Sequence, residues 1–145
     1  MLEVPALGHL AGIGPLTPVY LRYKPQTSCA AGFFTASGGA LAAHAYTAAR
    51  YAEVRAREEW LGDRDVIFLD DPRIVVVPAR LDRDLKGLRR FFDPDRRQKM
   101  LRKLAGRRAG GTDAVPYLLR YKPGRRLVAR LDDRSEEHTS ETPVT

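Results

Sequence analysis

From Pro18 onward, apolar and polar positions recur with periods of two and of three to four, separated by turn residues. In Pro18-Val19-Tyr20-Leu21-Arg22-Tyr23-Lys24, tyrosine and leucine alternate with arginine and lysine, which is the pattern of a half-exposed strand. Pro25 and Gln26 with short polar residues read as a tight turn, and residues 29–34 as the returning strand of a hairpin. After the turn Ser37-Gly38-Gly39, residues 40–46 form a third strand, weakened by four alanines. Thr47 is an N-cap for a helix over 48–61, with Tyr51, Val54 and Trp60 on its apolar side and Gly62 as its stop. Residues 65–69 and 73–77 are two strands joined by Asp70-Asp71-Pro72. A short helix follows over 82–92, with Leu81, Leu85, Leu88 and Phe92 at spacings of three and four. Asp93 caps a further helix over 94–104, with Pro94 at its first position. Residues 106–113, of arginine, glycine and threonine, are a loop before a last hairpin. The order β-β-β-α-β-β, two helices and a truncated β-hairpin places the chain in the α+β class.

That last hairpin repeats the first. Pro116-Tyr117-Leu118-Leu119-Arg120-Tyr121-Lys122-Pro123 restates Pro18-Val19-Tyr20-Leu21-Arg22-Tyr23-Lys24-Pro25 at a constant offset of 98 residues. Two copies are too few for a stacked solenoid. They imply two related domains, an accessory one over 1–109 with a helical linker at 82–105, and a second over 110–133 that is only begun.

The final residues 134–145 are excluded from this fold expectation. Arg134-Ser135-Glu136-Glu137-His138-Thr139-Ser140-Glu141 resembles one translated frame of a common sequencing adapter, so the natural chain is expected to be interrupted at or near Asp133. A polar C-terminal tail of the same composition is the alternative.

Composition narrows the remaining classes. The single Cys29 excludes an internal disulfide and is expected to be a small packing residue; with no CxxC and three histidines, a structural zinc site is not expected. No run of eighteen apolar residues exists to span a membrane. The N-terminus lacks a basic leader and is broken by Pro5, Gly12, Gly14, Pro15 and Pro18, so a cytoplasmic protein is expected. The formal net charge is +7, or +9 without 134–145, which carry one Arg and three Glu. Such a balance favours polyanionic partners. The basic residues are twenty Arg and five Lys, a bias that a GC-rich genome also produces.

Residues 83–108 hold eleven of those basic residues, with Leu85, Leu88, Met100, Leu101 and Leu104 among them. They read either as an amphipathic helix pair with a basic solvent face or as a phosphate-tracking surface for nucleic acid. Asp63-Arg64-Asp65, Asp82-Arg83-Asp84 and Asp93-Pro94-Asp95 each open an element, where a carboxylate caps a helix or closes a turn; that reading is preferred to metal binding.

Leu119-Arg120-Tyr121-Lys122-Pro123-Gly124-Arg125-Arg126 and the following Leu127-Val128-Ala129-Arg130-Leu131-Asp132 resemble the opening of the N-lobe in aminoglycoside-phosphotransferase-like small-molecule kinases, which have the protein-kinase-like fold. The Tyr20-Leu21-Arg22-Tyr23-Lys24-Pro25 copy is similar to a leader domain that precedes that lobe in some members. The resemblance implies a parent that uses ATP and Mg²⁺ to phosphorylate a hydroxyl of a small polar substrate, a sugar or an aminoglycoside. It makes Lys122, Pro123, Gly124, Arg125 and Arg126 the turn that covers nucleotide phosphates, beside the plainer reading of a solvated turn. In the first copy it implies a degenerate lobe marked by Lys24, His44 and Glu53. His44 stands where such a kinase carries its phosphate-pairing lysine, and Glu53 or Glu58 would be the matching acid. The family's His-x-Asp loop and its following asparagine are absent, since the chain has no asparagine and no Asp two residues after a histidine. No catalytic residue is therefore assigned, and the fragment itself is expected to be inactive and to hold no cofactor or metal.

Overall fold

The computed structural model describes residues 8, 12–105, 115–132 and 139–144. β1 (Leu16–Lys24), β2 (Ser28–Thr35) and β3 (Ala40–Tyr46) form an antiparallel meander, followed by α1 (Ala48–Arg55) and α2 (Glu58–Leu61). β4 (Ile67–Leu69) and β5 (Ile74–Pro78) complete a five-stranded sheet in the order β1-β2-β3-β5-β4. A 3-10 turn at Ala79–Leu81 leads to α3 (Leu88–Phe91) and α4 (Pro94–Ala105). β6 (Val115–Lys122), β7 (Arg126–Asp132) and β8 (Thr139–Val144) then form a second antiparallel sheet in that order. The α+β class and the expected order of elements are both present.

Local chemistry accounts for most boundaries. Thr47 Oγ1 accepts from the Arg50 N–H at 3.3 Å and caps α1. Asp93 Oδ1 accepts from the Asp95 and Arg96 amides, at 3.1 and 3.3 Å, and caps α4 ahead of Pro94. The same Asp-x-Asp turn recurs as Asp65 N–H to Asp63 Oδ1 and Asp84 N–H to Asp82 Oδ1, both 3.0 Å.

Two expected helices are shorter than their sequence periods suggest. The helix over 48–61 is split at Ala56 and Arg57, where Arg57 is extended (φ −69°, ψ 120°). At about 100° per residue an unbroken helix would turn Trp60 some 180° away from Tyr51. The break lets Tyr51, Val54 and Trp60 enter one cluster with Val75, Val77 and Leu81. The helix expected over 82–92 is helical only at Leu88–Phe91, because Asp82 draws the Asp84 and Leu85 amides into a turn. The later start buries Phe91, while Phe92 is only half-buried.

Tyr51 fixes α1 to the β4–β5 turn by donating its hydroxyl to Asp70 Oδ1 at 2.7 Å. Burial, then that bond and the Asp70 charge, push the Tyr51 pKa up to about 12. An unfolded tyrosine ionises near pH ~10. This contribution to stability is therefore full below about pH 10 and is lost as pH rises from there through the folded value. Thermal unfolding followed across that alkaline window should show a decline that Tyr51→Phe flattens; an equal decline in both proteins would rule Tyr51 out as its source.

The repeat is structural as well as textual. Lys24↔Ser28, Tyr23↔Cys29 and Arg22↔Ala30 in the first hairpin match Lys122↔Arg126, Tyr121↔Leu127 and Arg120↔Val128 in the second. The turns match too, with Thr27 N–H to Lys24 O at 3.1 Å and Arg125 N–H to Lys122 O at 2.9 Å. Gln26 (φ 62°) and Gly124 (φ 74°) hold the same left-handed position after proline, the type II pattern. β8 pairs with β7 as β3 pairs with β2, so part of 134–145, which the sequence reading set outside the fold, forms a third strand; 133–138 and 145 lie outside the described residues. The second unit is therefore a three-stranded sheet and not a bare hairpin. Backbone pairing needs no particular side chains, and β7 presents an open edge that a six-residue segment can fill.

The two sheets share one core. Ala40 and Ala42 of β3 meet Leu118, Tyr121, Leu127 and Ala129 of the second sheet, with Leu85, Leu88 and Phe91 between them. Leu118 and Tyr121 would face opposite ways in a regular strand, but a bulge between Leu118 and Arg120 turns both inward. The Cys29 expectation of a small strand residue agrees with its place opposite Tyr23 and Ala45. Gly32 sits where the sheets touch, and a Cβ there would lie 2.9 Å from Tyr121 O and 3.0 Å from Pro123 Cδ. Gly32→Ala is expected to cost about 1–3 kcal/mol in denaturant unfolding. An unchanged midpoint would mean that the hairpin does not rest on β2.

Candidate functional site

A polar contact between the two units centres on Asp82, at the end of the 3-10 turn. Its Oδ1 accepts from the Asp84 and Leu85 amides at 3.0 and 3.3 Å. Its Oδ2 accepts the Tyr121 hydroxyl at 3.0 Å and the Gly124 N–H at 2.8 Å. One carboxylate thus caps its own turn and holds the tip of the second hairpin. Hydrogen bonds to a charged group are the stronger kind, about 1.5–3 kcal/mol each. Tyr121 is 1% exposed, and burial, then the Asp82 charge, push its hydroxyl far above the usual tyrosine range. It acts as a fixed donor at any ordinary pH.

Beside Asp82 lies a recess of about 160 Å³ between the first sheet and the hairpin tip. Arg22, His44, Arg57, Trp60 and Arg83 are among its walls. His44 stacks against Tyr46 at 5.9 Å. Burial holds its pKa below the usual histidine value; Asp82 opposes that shift, while Arg57 and Arg22 add to it. Burial thus favours the neutral form of His44. A bifurcated ion pair closes a neighbouring turn, where Arg80 donates to both Asp63 oxygens at 2.8 and 2.7 Å and to Asp65 Oδ2 at 2.9 Å. The Arg80 hydrogen bond holds the Asp63 carboxyl below its ordinary pKa.

The residues singled out from sequence are brought together only in part. Lys122, Pro123, Gly124, Arg125 and Arg126 do form a turn, but its tip faces the first unit. Pro123 is buried, the Gly124 amide is bonded to Asp82, and Lys122 Nζ lies 5.9 Å from the Tyr20 ring centre. Arg125 and Arg126 are exposed. Lys24 is exposed at the end of β1, and Glu53 is exposed on α1, where Arg50 Nη1 donates to it at 2.6 Å. Neither is joined to His44 by a hydrogen bond or ion pair. His44 alone of the three lines the recess.

ATP does not fit the recess that His44, Pro123 and Gly124 line. The recess is well below the several hundred Å³ typical of sites for molecules of that size. The backbone amide that would meet a phosphate is already bonded to a carboxylate. Sequence reasoning placed Asp82 as a local cap, which it is, but did not find its two distant partners, Tyr121 and Gly124, 39 and 42 residues away. The sole sequence signal was the capping aspartate itself.

Among the basic residues of 83–108 that are described, Arg83, Lys86, Arg89, Arg90, Arg96, Lys99, Arg102 and Lys103 are exposed. Arg97 instead donates to Phe91 O at 3.0 Å. Residues 106–108 lie outside the described residues. No described helix is long and apolar enough to cross a membrane. No family model matches the chain, and no curated protein or solved structure matches it.

Proposed function

We propose that this chain is the amino-terminal part of an ATP-dependent small-molecule phosphotransferase, with a sugar or aminoglycoside hydroxyl as acceptor and Mg²⁺ supplied in the complete protein. The first unit acts as a non-catalytic lobe that holds the second lobe's first turn through Asp82. The observation that carries this reading is the duplicated hairpin. The first copy opens a sheet of order β1-β2-β3-β5-β4 with helices between β3 and β4, and the second opens another antiparallel sheet with the same turn. That arrangement agrees with the resemblance of Lys122–Arg126 and its flanks to a kinase N-lobe opening. His44 in place of a lysine fits a first lobe that carries no chemistry.

The test is the reading frame of the source DNA beyond the Asp133 codon, followed by assay of its complete product. The proposal expects a third-strand lysine, a His-x-Asp loop and metal-binding Asn and Asp, and ATP consumption that depends on a hydroxyl acceptor. A source frame that encodes residues 134–145 and then stops would sink it.

The exposure of eight arginines and lysines along 83–103 favours a second reading, a non-enzymatic module that binds nucleic acid. It expects retardation of duplex DNA or RNA at low salt, weakening steeply as salt rises. No retardation at low salt removes it.

A further inference from the structure

The recess beside Asp82 holds the one imidazole among the described residues, and it stands where the two units meet. His44 and Tyr46 belong to the first unit's side of the recess, while Tyr121, Pro123 and Gly124 form the side contributed by the second hairpin. The His44 ring is half-buried and stacks on Tyr46, and it has no hydrogen-bond partner among the described residues. A neutral imidazole tolerates such a place. An imidazolium there is costly, because a charge withdrawn from water needs a compensating partner.

The groups around the ring decide what a proton would meet. Arg22 reaches the recess from β1 and Arg57 from the junction of α1 and α2, and both repel an imidazolium. Arg83, next to Asp82, adds a third guanidinium to the walls. Asp84 is exposed, where water screens its charge. Tyr46 and Tyr121 stay uncharged, since burial pushes both hydroxyls above the usual tyrosine range. Asp82 attracts an imidazolium and offsets part of the cost. Its oxygens already accept from the Asp84 and Leu85 amides, the Tyr121 hydroxyl and the Gly124 amide. A charged His44 drawing on Asp82 competes with the last two, which are the polar attachment of the hairpin tip.

We propose that His44 is an acid-sensitive latch: a proton on its imidazole favours a state in which the hairpin tip, Tyr121 to Gly124, has lifted off the first unit. Lifting the tip removes one wall of the recess and lets water reach the ring, so the open state binds the proton more tightly than the docked one. A ligand shifts an equilibrium by its difference in affinity for the two states, and here the ligand is the proton. Burial holds the docked ring below the usual histidine range. Its contribution to docking is therefore full above about pH 6.5 and is lost as pH falls from there through the docked value. The window lies above the ordinary carboxylate range, near pH ~4. The latch depends on the Asp82 contact and on neither functional reading.

The Gly124 amide reports the docked state, because its hydrogen bond to Asp82 ends when the tip lifts. Its protection against hydrogen exchange, corrected for the intrinsic effect of pH on exchange, is followed by NMR in the full ¹⁵N-labelled chain across the window around pH ~6.5. The expected result is constant protection above that value and a fall of up to about tenfold per pH unit below it, the limit for uptake of one proton. Amides of β5, which is paired on both sides, should keep their protection. His44→Gln keeps a polar side chain but takes up no proton, and should abolish the fall. Gly124 protection that ignores pH in the unaltered chain overturns the latch, whether or not His44→Gln folds. So does a fall in which β5 follows in step, because the tip then has no motion of its own. A fall that persists in folded His44→Gln overturns it as well, since His9 and His138 remain in that variant.

Discussion

Phe91→Ala is expected to destabilise the protein by about 3–5 kcal/mol, the usual cost of emptying a buried phenylalanine site. Phe91 is 1% exposed and lies in the cluster that joins the two sheets, in edge contact with Phe92 at 5.3 Å between ring centres. Arg97 closes the outer side, its guanidinium carbon 5.9 Å from the ring centre. The neighbours come from β3, α3 and the second sheet, so no single element can collapse into the space. Domains of this size are stable by only about 5–15 kcal/mol. Guanidinium unfolding of the variant should therefore show a large loss of midpoint. Amide exchange should show β6 and β7 losing protection together with β3. A loss confined to α3 would mean that the sheets do not share a core.

Asp82→Ala is expected to cost about 2–5 kcal/mol, because it leaves the Tyr121 hydroxyl and the Gly124 amide without their acceptor at a buried contact. The Asp84 and Leu85 amides lose theirs as well, but Asp84 is exposed and water can replace the bond there. Asp82→Asn separates shape from charge. An amide keeps one oxygen, so it can serve one side of the carboxylate's partners and presents an N–H to the other. The asparagine variant should lie between wild type and alanine in stability. If both variants unfold like wild type, the hairpin is not held by Asp82, and the role given to the first lobe falls with it.

Local elements were legible in the sequence because their causes are local. Thr47 and Asp93 cap helices from one residue away, and Pro25 with Gln26, or Pro123 with Gly124, suffices to set a turn. The repeat was legible because a hairpin's register is fixed by its turn. Of the candidate site, only His44 and the Lys122–Arg126 turn reached the Asp82 region; Lys24 and Glu53 stand on the exposed surface. Whether a lysine or an acid on a neighbouring element meets a given strand position depends on three-dimensional placement that spacing does not encode.

The sequence by itself determined the α+β order, the caps, the turns and the duplication, since each follows from interactions within a few residues. Tertiary structure alone decided that the helix after β3 breaks so that Trp60 can join Tyr51 and Val54, and that Phe91 rather than Phe92 fills the joint core. It also decided that the Gly124 amide faces Asp82 instead of solvent. Those outcomes depend on burial and on partners far along the chain, where the gain from excluding water and satisfying a buried donor outweighs the local preference.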